Sequence, residues 1–159
     1  RLMRAGRQPE GIAAAPDGRT VWAGSNVDSM VVVLDPARGV AVDTLRGFGL
    51  PYRIAITADS RLAVITDPIR GEVRAFSVAD RRPAFVLKVP ADSLVPTAEV
   101  PGSPSPEGVA VSRDGHWAFV TLQGRNRMIT IDLDHGTIVR YTPIGNWSDG
   151  IGYSVLTMK

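Results

Sequence analysis

Apolar positions along the chain fall in short runs, each closed by Gly, Pro, Asp, Asn or Ser, and runs of this length leave no room for a long helix. Ile12 to Ala15, Ile54 to Thr57 and Val109 to Ser112 are short and apolar. Each is followed by tight-turn chemistry, Asp17-Gly18, Asp59-Ser60 and Asp114-Gly115, of the kind that joins antiparallel strands. Second strands are expected at Val21 to Gly24, Ala63 to Thr66 and Ala118 to Thr121. After a polar loop come β-branched third strands at Met30 to Asp35, Val73 to Ser77 and Met128 to Asp132, and fourth strands at Val40 to Leu45, Ala84 to Val89 and Thr137 to Tyr141.

These groups of four are copies of one another. PEGIAAAPDGRTVWAG begins at Pro9, PYRIAITADSRLAVIT at Pro51 and PEGVAVSRDGHWAFVT at Pro106, and SDGIGYS at Ser148 is a truncated fourth copy. The offsets are 42, 55 and 42 residues, and a period of about 40 residues marks propellers and other arrays. The 13 additional residues of the middle spacing lie in a stretch with Pro90, Pro96, Pro101, Pro104 and Pro106, which excludes helix interior and central strand. It is an inserted loop.

Four antiparallel strands in 42 residues make one propeller blade. The sequence therefore predicts an all-β fold, a β-propeller fragment of about three and a half blades in one unit over residues 1–159. Residues 1–8 are expected to be the outer strand of a preceding blade. Blades follow at 9–50, at 51–105 with its Pro-rich insertion at 90–105, and at 106–147; residues 148–159 are the inner strand of a following blade. An open arc exposes apolar blade faces, so either the remaining blades of a longer chain or other copies are expected to cover them.

Composition narrows the classes of function. A chain 44% hydrophobic and 21% charged is globular, and no apolar run approaches the roughly 20 residues of a membrane span. A net charge of +2, with basic residues scattered among acids, argues against nucleic acid as partner. The absence of cysteine excludes disulfides and thiolate metal sites. Serines lack the glycine-flanked elbow of hydrolases, and the glycines punctuate turns rather than forming phosphate loops. His116 and His135 fall in separate turns expected far apart on the bottom rim, and Trp22 and Trp117 are read as packing between blades.

The repeat resembles the YVTN β-propeller repeat of bacterial and archaeal surface and secreted proteins. Its pattern runs approximately Pro-x-Gly-Ile-Ala-x-Ser-Pro-Asp-Gly, Tyr-Val-Thr-Asn, Val-x-Val-Ile-Asp, Thr-Gly-x-Val. The first blade matches at Pro9, Gly11, Ile12, Ala13, Pro16, Asp17, Gly18, Trp22 and Asp35. The third matches at Pro106, Gly108, Val109, Ala110, Ser112, Asp114, Gly115, Phe119, Val120, Thr121, Ile131, Asp132, Gly136 and Val139. The second blade departs, with Arg53 for the glycine, Ser60 for the turn glycine and Ser77 for the aspartate. No Gly-His followed by Trp-Asp occurs, so the WD pattern is absent. The resemblance implies an extracytoplasmic protein, in the periplasm or at the cell surface.

The meander places a site. If each innermost strand runs from top to bottom, the residue after its leading proline points to the mouth of the central channel: Glu10, Tyr52 with Arg53, Glu107 and Asp149. Farther out on that face lie the polar loops, with Asn26, Asp67 and Asn126 as rim candidates. Carboxylates and an arginine about one axis suit a polar ligand through charge-assisted bonds, or a divalent cation such as calcium through oxygen ligands. No other cofactor is evident. The reading favoured here is a non-catalytic binding or scaffold domain whose top face meets a protein, polysaccharide or small molecule. Two alternatives stand beside it. One is a metal-dependent, lactonase-like hydrolase; the other is a propeller subunit of a periplasmic dehydrogenase, which would need a cofactor-bearing partner.

Overall fold

The computed structural model describes residues 2–92, 94 and 99–154. The chain is all β, with three four-stranded antiparallel sheets in sequence order and a single 3₁₀ turn, Gln123–Arg125, among the described residues. The first sheet holds β1 (Pro9–Ala14), β2 (Val21–Ser25), β3 (Met30–Asp35) and β4 (Val40–Leu45). The second holds β5 (Ile54–Ile56), β6 (Leu62–Asp67), β7 (Glu72–Ser77) and β8 (Pro83–Lys88). The third holds β9 (Pro106–Val111), β10 (Trp117–Leu122), β11 (Arg127–Asp132) and β12 (Thr137–Pro143). Each expected strand is present, displaced at its ends by no more than a few residues.

The turns explain the departure at Ser60. Gly18 and Gly115 have φ of +74° and +75°, and Ser60 holds φ +58° at the same repeat position, a left-handed conformation that disfavours a residue with a Cβ. Local bonding offsets that cost. The Thr57 hydroxyl donates to Asp59 Oδ1 at 2.6 Å, and the same carboxylate oxygen accepts from the Arg61 N–H at 3.0 Å.

Blades pack face to face through two apolar layers. Between the first and second lie Trp22, Val31 and Val33 against Ile54, Ala63, Ile65, Phe76 and Val78. Trp22 is fully buried, with its ring 6.5 Å from that of Phe76. Between the second and third lie Leu62, Val64 and Val73 against Ala118, Val120, Leu122, Ile129 and Ile131. Trp22, Val64 and Phe119 occupy one repeat position. The first two are sealed between blades, whereas Phe119 lies on the far face of the third blade, where Tyr153 stacks on it at 6.0 Å. That face also carries Trp117, which is 37% exposed and lines a cavity of about 400 Å³ with Val139 and Arg140. Of the two tryptophans read as inter-blade packing, only Trp22 has that place, because no described blade lies beyond Trp117.

Each new blade begins by crossing the previous one at close range. A Cβ on Gly11 would meet the Tyr52 carbonyl oxygen at 2.5 Å, and one on Gly108 would meet that of Asp149 at 2.3 Å; glycine is what permits the approach. Hydroxyls then fix the crossing. Thr66 donates to the Glu107 carbonyl at 2.7 Å, and Thr121, at the same repeat position, donates to the Asp149 carbonyl at 3.2 Å.

The flanking segments differ from expectation. Residues 2–8 were predicted as part of an outer strand but carry no regular strand apart from the hydrogen bonds of Arg7 and Gln8 to the first blade's loop; a strand needs a neighbouring edge, and no described blade precedes this one. The described residues 148–154 dock against the third blade without forming a ladder. Residues 1 and 155–159 of these two segments lie outside the described residues.

Candidate functional site at the channel mouth

The crossing segments bring the predicted mouth residues together. Arg53 stands at a repeat position that is glycine in the other copies, Gly11, Gly108 and Gly150. Its guanidinium donates to Glu10 Oε1 at 2.9 Å from one nitrogen and to Asp149 Oδ1 at 3.5 Å from another. It also lies over the Tyr52 ring, 4.2 Å from the centroid. One arginine from the second blade thus ties the first blade to the segment that follows the third. Asn26 joins the group by donating from its side-chain amide to Glu10 Oε2 at 2.7 Å.

Glu107 sits differently. It is only 5% exposed, and its Oε1 accepts one bond, 2.9 Å from the Ser105 hydroxyl. Burial pushes its carboxyl up to about 7, against the lowering effect of the Ser105 bond, and the nearby negative charges of Asp149 and Glu99 add to the rise. Burial likewise pushes Tyr52 up to about 12, with Asp149, Glu10 and Glu107 acting in the same direction and Arg53 opposing.

Two rim candidates serve the backbone. Asp67 is fully buried, and its carboxylate accepts from the N–H groups of Gly49 at 2.7 Å, Leu50 at 3.0 Å and Arg70 at 3.1 Å. It holds the link between the first two blades. Asn126 ends the 3₁₀ turn in the left-handed region, φ 50°, at the repeat position occupied by Ser29 and Gly71, and its carbonyl accepts from Ile144 N–H. Of the three rim candidates, only Asn26 is bonded to a mouth residue.

Ser105 is the residue that sequence reasoning missed. It closes the Pro-rich insertion, whose described part docks on the top loops. The Ser103 hydroxyl donates to the Pro68 carbonyl at 2.5 Å, and Glu99 N–H donates to Gln123 Oε1 at 3.1 Å. Arg125, 7% exposed, donates to the Pro90 carbonyl at 3.3 Å and to Asp92 at 3.0 Å. The only signal was position: Ser105 immediately precedes a leading proline and so must lie beside the mouth.

Among the described residues, no three His, Asp or Glu side chains come together in a way that could hold a metal ion. At the mouth, Arg53 bridges Glu10 and Asp149, so the positive charge between these two carboxylates belongs to the chain itself, and the expected calcium ligands do not form a set. On the opposite rim the histidines are nearer in bonding than predicted. His116 Nδ1 lies 2.7 Å from Asp134 and His135 Nδ1 lies 2.9 Å from Asp132, two carboxylates of one turn. Both histidines are exposed, and Arg61 also donates to Asp134 at 2.9 Å. No helix among the described residues is long and apolar enough to cross a membrane.

No protein-family model and no curated protein matches the chain. Solved structures do. The chain is similar to hydrazine synthase of Kuenenia stuttgartiensis, with a TM-score of 0.77 and 18% identity over 94% of this chain and 40% of that one. It is similar to the WD40 repeats of RRP9, with a TM-score of 0.72 and 14% identity over 91% and 41%. It is also similar to the Swd1 β-propeller domain of Myceliophteria thermophila, with a TM-score of 0.70 and 15% identity over 89% and 46%. The chain spans less than half the length of these structures. At such identities the likeness shows the β-propeller fold alone.

Proposed function

We propose that this chain is a ligand-binding propeller domain that acts without catalysis and takes its ligand at the channel mouth framed by Glu10, Tyr52, Arg53, Glu107 and Asp149. The observation that carries the proposal is Glu107. A carboxyl 5% exposed that accepts a bond from the Ser105 hydroxyl is costly for a fold to keep, and it lies where the leading segments of successive blades meet. Buried groups with perturbed titration mark sites of function.

The residues assembled there suit recognition. An arginine with two carboxylate partners, an aromatic ring and an amide offer directional bonds and a stacking surface. The resemblance to the YVTN repeat supports an extracytoplasmic setting, in which a soluble partner, protein or polysaccharide reaches the top face.

A panel of glucose, N-acetylglucosamine, a lysine peptide and calcium chloride, followed by ligand-observed NMR and thermal shift, tests the proposal. Binding of at least one probe should be weakened tenfold or more by Arg53→Ala while the fold is retained. Binding indifferent to Arg53 and Glu107 would overturn the mouth as the site. Chelator-sensitive hydrolysis of a γ-lactone by the purified chain would replace binding with catalysis.

A further inference from the structure

Glu10, Tyr52, Glu107 and Asp149 occupy one repeat position, second in each copy. Glu10 and Asp149 keep 36% and 51% of their side-chain surface, and Tyr52 is half-buried with a described blade on either side of it. Glu107 is sealed. PEGIA around Glu10 and PEGVA around Glu107 are nearly the same sequence, so local propensity does not separate the two. A preceding blade does not seal the position either, since Tyr52 and Asp149 each have one. What Glu107 alone has is the insertion of residues 90–105 directly before it.

The end of that insertion is built into the two blades beside the mouth. The Ser105 carbonyl accepts from Gln123 N–H at 3.0 Å and the Pro104 carbonyl from Gly124 N–H at 3.1 Å, both in the third blade. The Ser105 N–H donates to the Ser103 hydroxyl oxygen at 3.0 Å, and that hydroxyl donates in turn to the Pro68 carbonyl of the second blade. A Cβ on Gly71 would meet Pro104 at 3.1 Å, and one on Gly124 would meet the Ser103 carbonyl oxygen, so glycine lets the segment lie this close. Ser105 itself is fully buried with φ +48°, a strained setting for a residue with a Cβ, and from there its hydroxyl donates to Glu107 Oε1 at 2.9 Å. Glu99, a second group of the insertion, is fixed by its N–H to Gln123 Oε1, and its charge acts on Glu107.

We infer that the Pro-rich insertion is a positioning strap for the mouth, which seals the Glu107 carboxyl from water and, through Ser105, fixes where that carboxyl points. This deepens the reading of the mouth as a binding site by naming what controls one of its carboxyls, and it rests on that reading only for the consequence that binding responds to pH. The groups that face Glu107 are Ser105 and Glu99 from the insertion, Tyr52 and Arg53 from the second blade, and Asp149 from the segment after the third. Burial raises its titration most, Asp149 and Glu99 add to the rise, and Ser105 and Arg53 oppose it, which brings it to about 7. The mouth therefore gains one negative charge as pH rises through neutrality.

NMR titration of the Glu107 carboxyl carbon in the isotopically labelled chain tests this without any ligand. Deleting the 13 residues 91–103 restores the 42-residue spacing of the other copies and should bring the midpoint down from about 7 toward the ordinary 4.5. A folded deletion variant in which Glu107 still titrates near 7 would overturn the inference, since the blades alone would then seal it. Point variants decide the matter if the deletion variant does not fold. Ser105→Ala and Ser105→Gly should both raise the midpoint by about one pH unit, although glycine suits the backbone at φ +48° and alanine does not; Glu99→Gln should lower it. A midpoint that none of the three moves, or that alanine moves and glycine does not, would overturn the positioning role. If the panel of sugars, peptide and calcium finds no ligand at the mouth, the binding reading fails and the strap stands.

Discussion

Glu107→Gln keeps the volume of the buried side chain and an acceptor for Ser105 but removes its ionisation, so its effect on stability should depend on pH. In the fold the carboxyl is raised from its ordinary 4.5 to about 7, whereas in the unfolded chain it titrates near the ordinary value. Below pH 4.5 both states are protonated and the site costs nothing. Between 4.5 and 7 the unfolded state gives up its proton while the folded state keeps it, so stability falls as pH rises. Above 7 the folded state holds a buried anion and the loss is complete, about 3 kcal/mol at most. Relaxation around the charge reduces what is observed to about 2 kcal/mol. Urea unfolding followed by tryptophan fluorescence, at pH 4.5 and pH 8.5, measures it. The variant should match the parent at pH 4.5 and exceed it by about 2 kcal/mol at pH 8.5. An equal difference at the two pH values would refute the assignment of a buried, proton-holding carboxyl to this position.

Three further outcomes follow from the packing and the turns. Trp22→Ala empties the layer between the first two blades and should cost about 3–5 kcal/mol in urea unfolding, while Trp117→Ala on the open face should cost less than about 1 kcal/mol. Asp67→Ala strands three N–H donors in the inter-blade link and should cost about 2–4 kcal/mol, whereas Asn26→Ala, at the mouth, should weaken ligand binding more than it weakens the fold. His116 is raised above its ordinary 6.5 by its bond to Asp134, so any stabilisation it contributes is complete below that ordinary value and is lost as pH rises through the folded one; in NMR titration Asp134→Asn should bring His116 back toward 6.5, and an unchanged midpoint would disprove the pairing.

The fold was legible because the repeat states each strand several times. Periodic apolar residues and Asp-Gly turns placed all twelve strands, and an ungapped offset placed Trp22, Val64 and Phe119 at one position even though only two of them are buried. The meeting of Arg53 with Glu10 and Asp149 was legible in the same way, since all three fall at the start of a repeat copy. The function of individual polar side chains was not. Asp67 and Glu10 look alike in sequence, but one turns its carboxylate onto the N–H groups of the preceding link and the other faces Arg53, and that choice is made by loop geometry. Asn126 was read as a rim group because it is polar, when its left-handed backbone is what the turn requires. Ser105 was hidden in an insertion with no counterpart in the other blades, while Thr66 and Thr121 were visible as a repeated hydroxyl whose partner lies one blade onward.

Chemical-shift mapping on the isotopically labelled chain, titrated in turn with glucose, N-acetylglucosamine, a lysine peptide and calcium chloride, tests the central claim most directly. Saturable shifts with at least one of these probes, confined to Glu10, Asn26, Tyr52, Arg53, Glu107 and Asp149, are the expected result. Shifts scattered over the surface, or clustered at the histidine turn on the opposite rim, would contradict it.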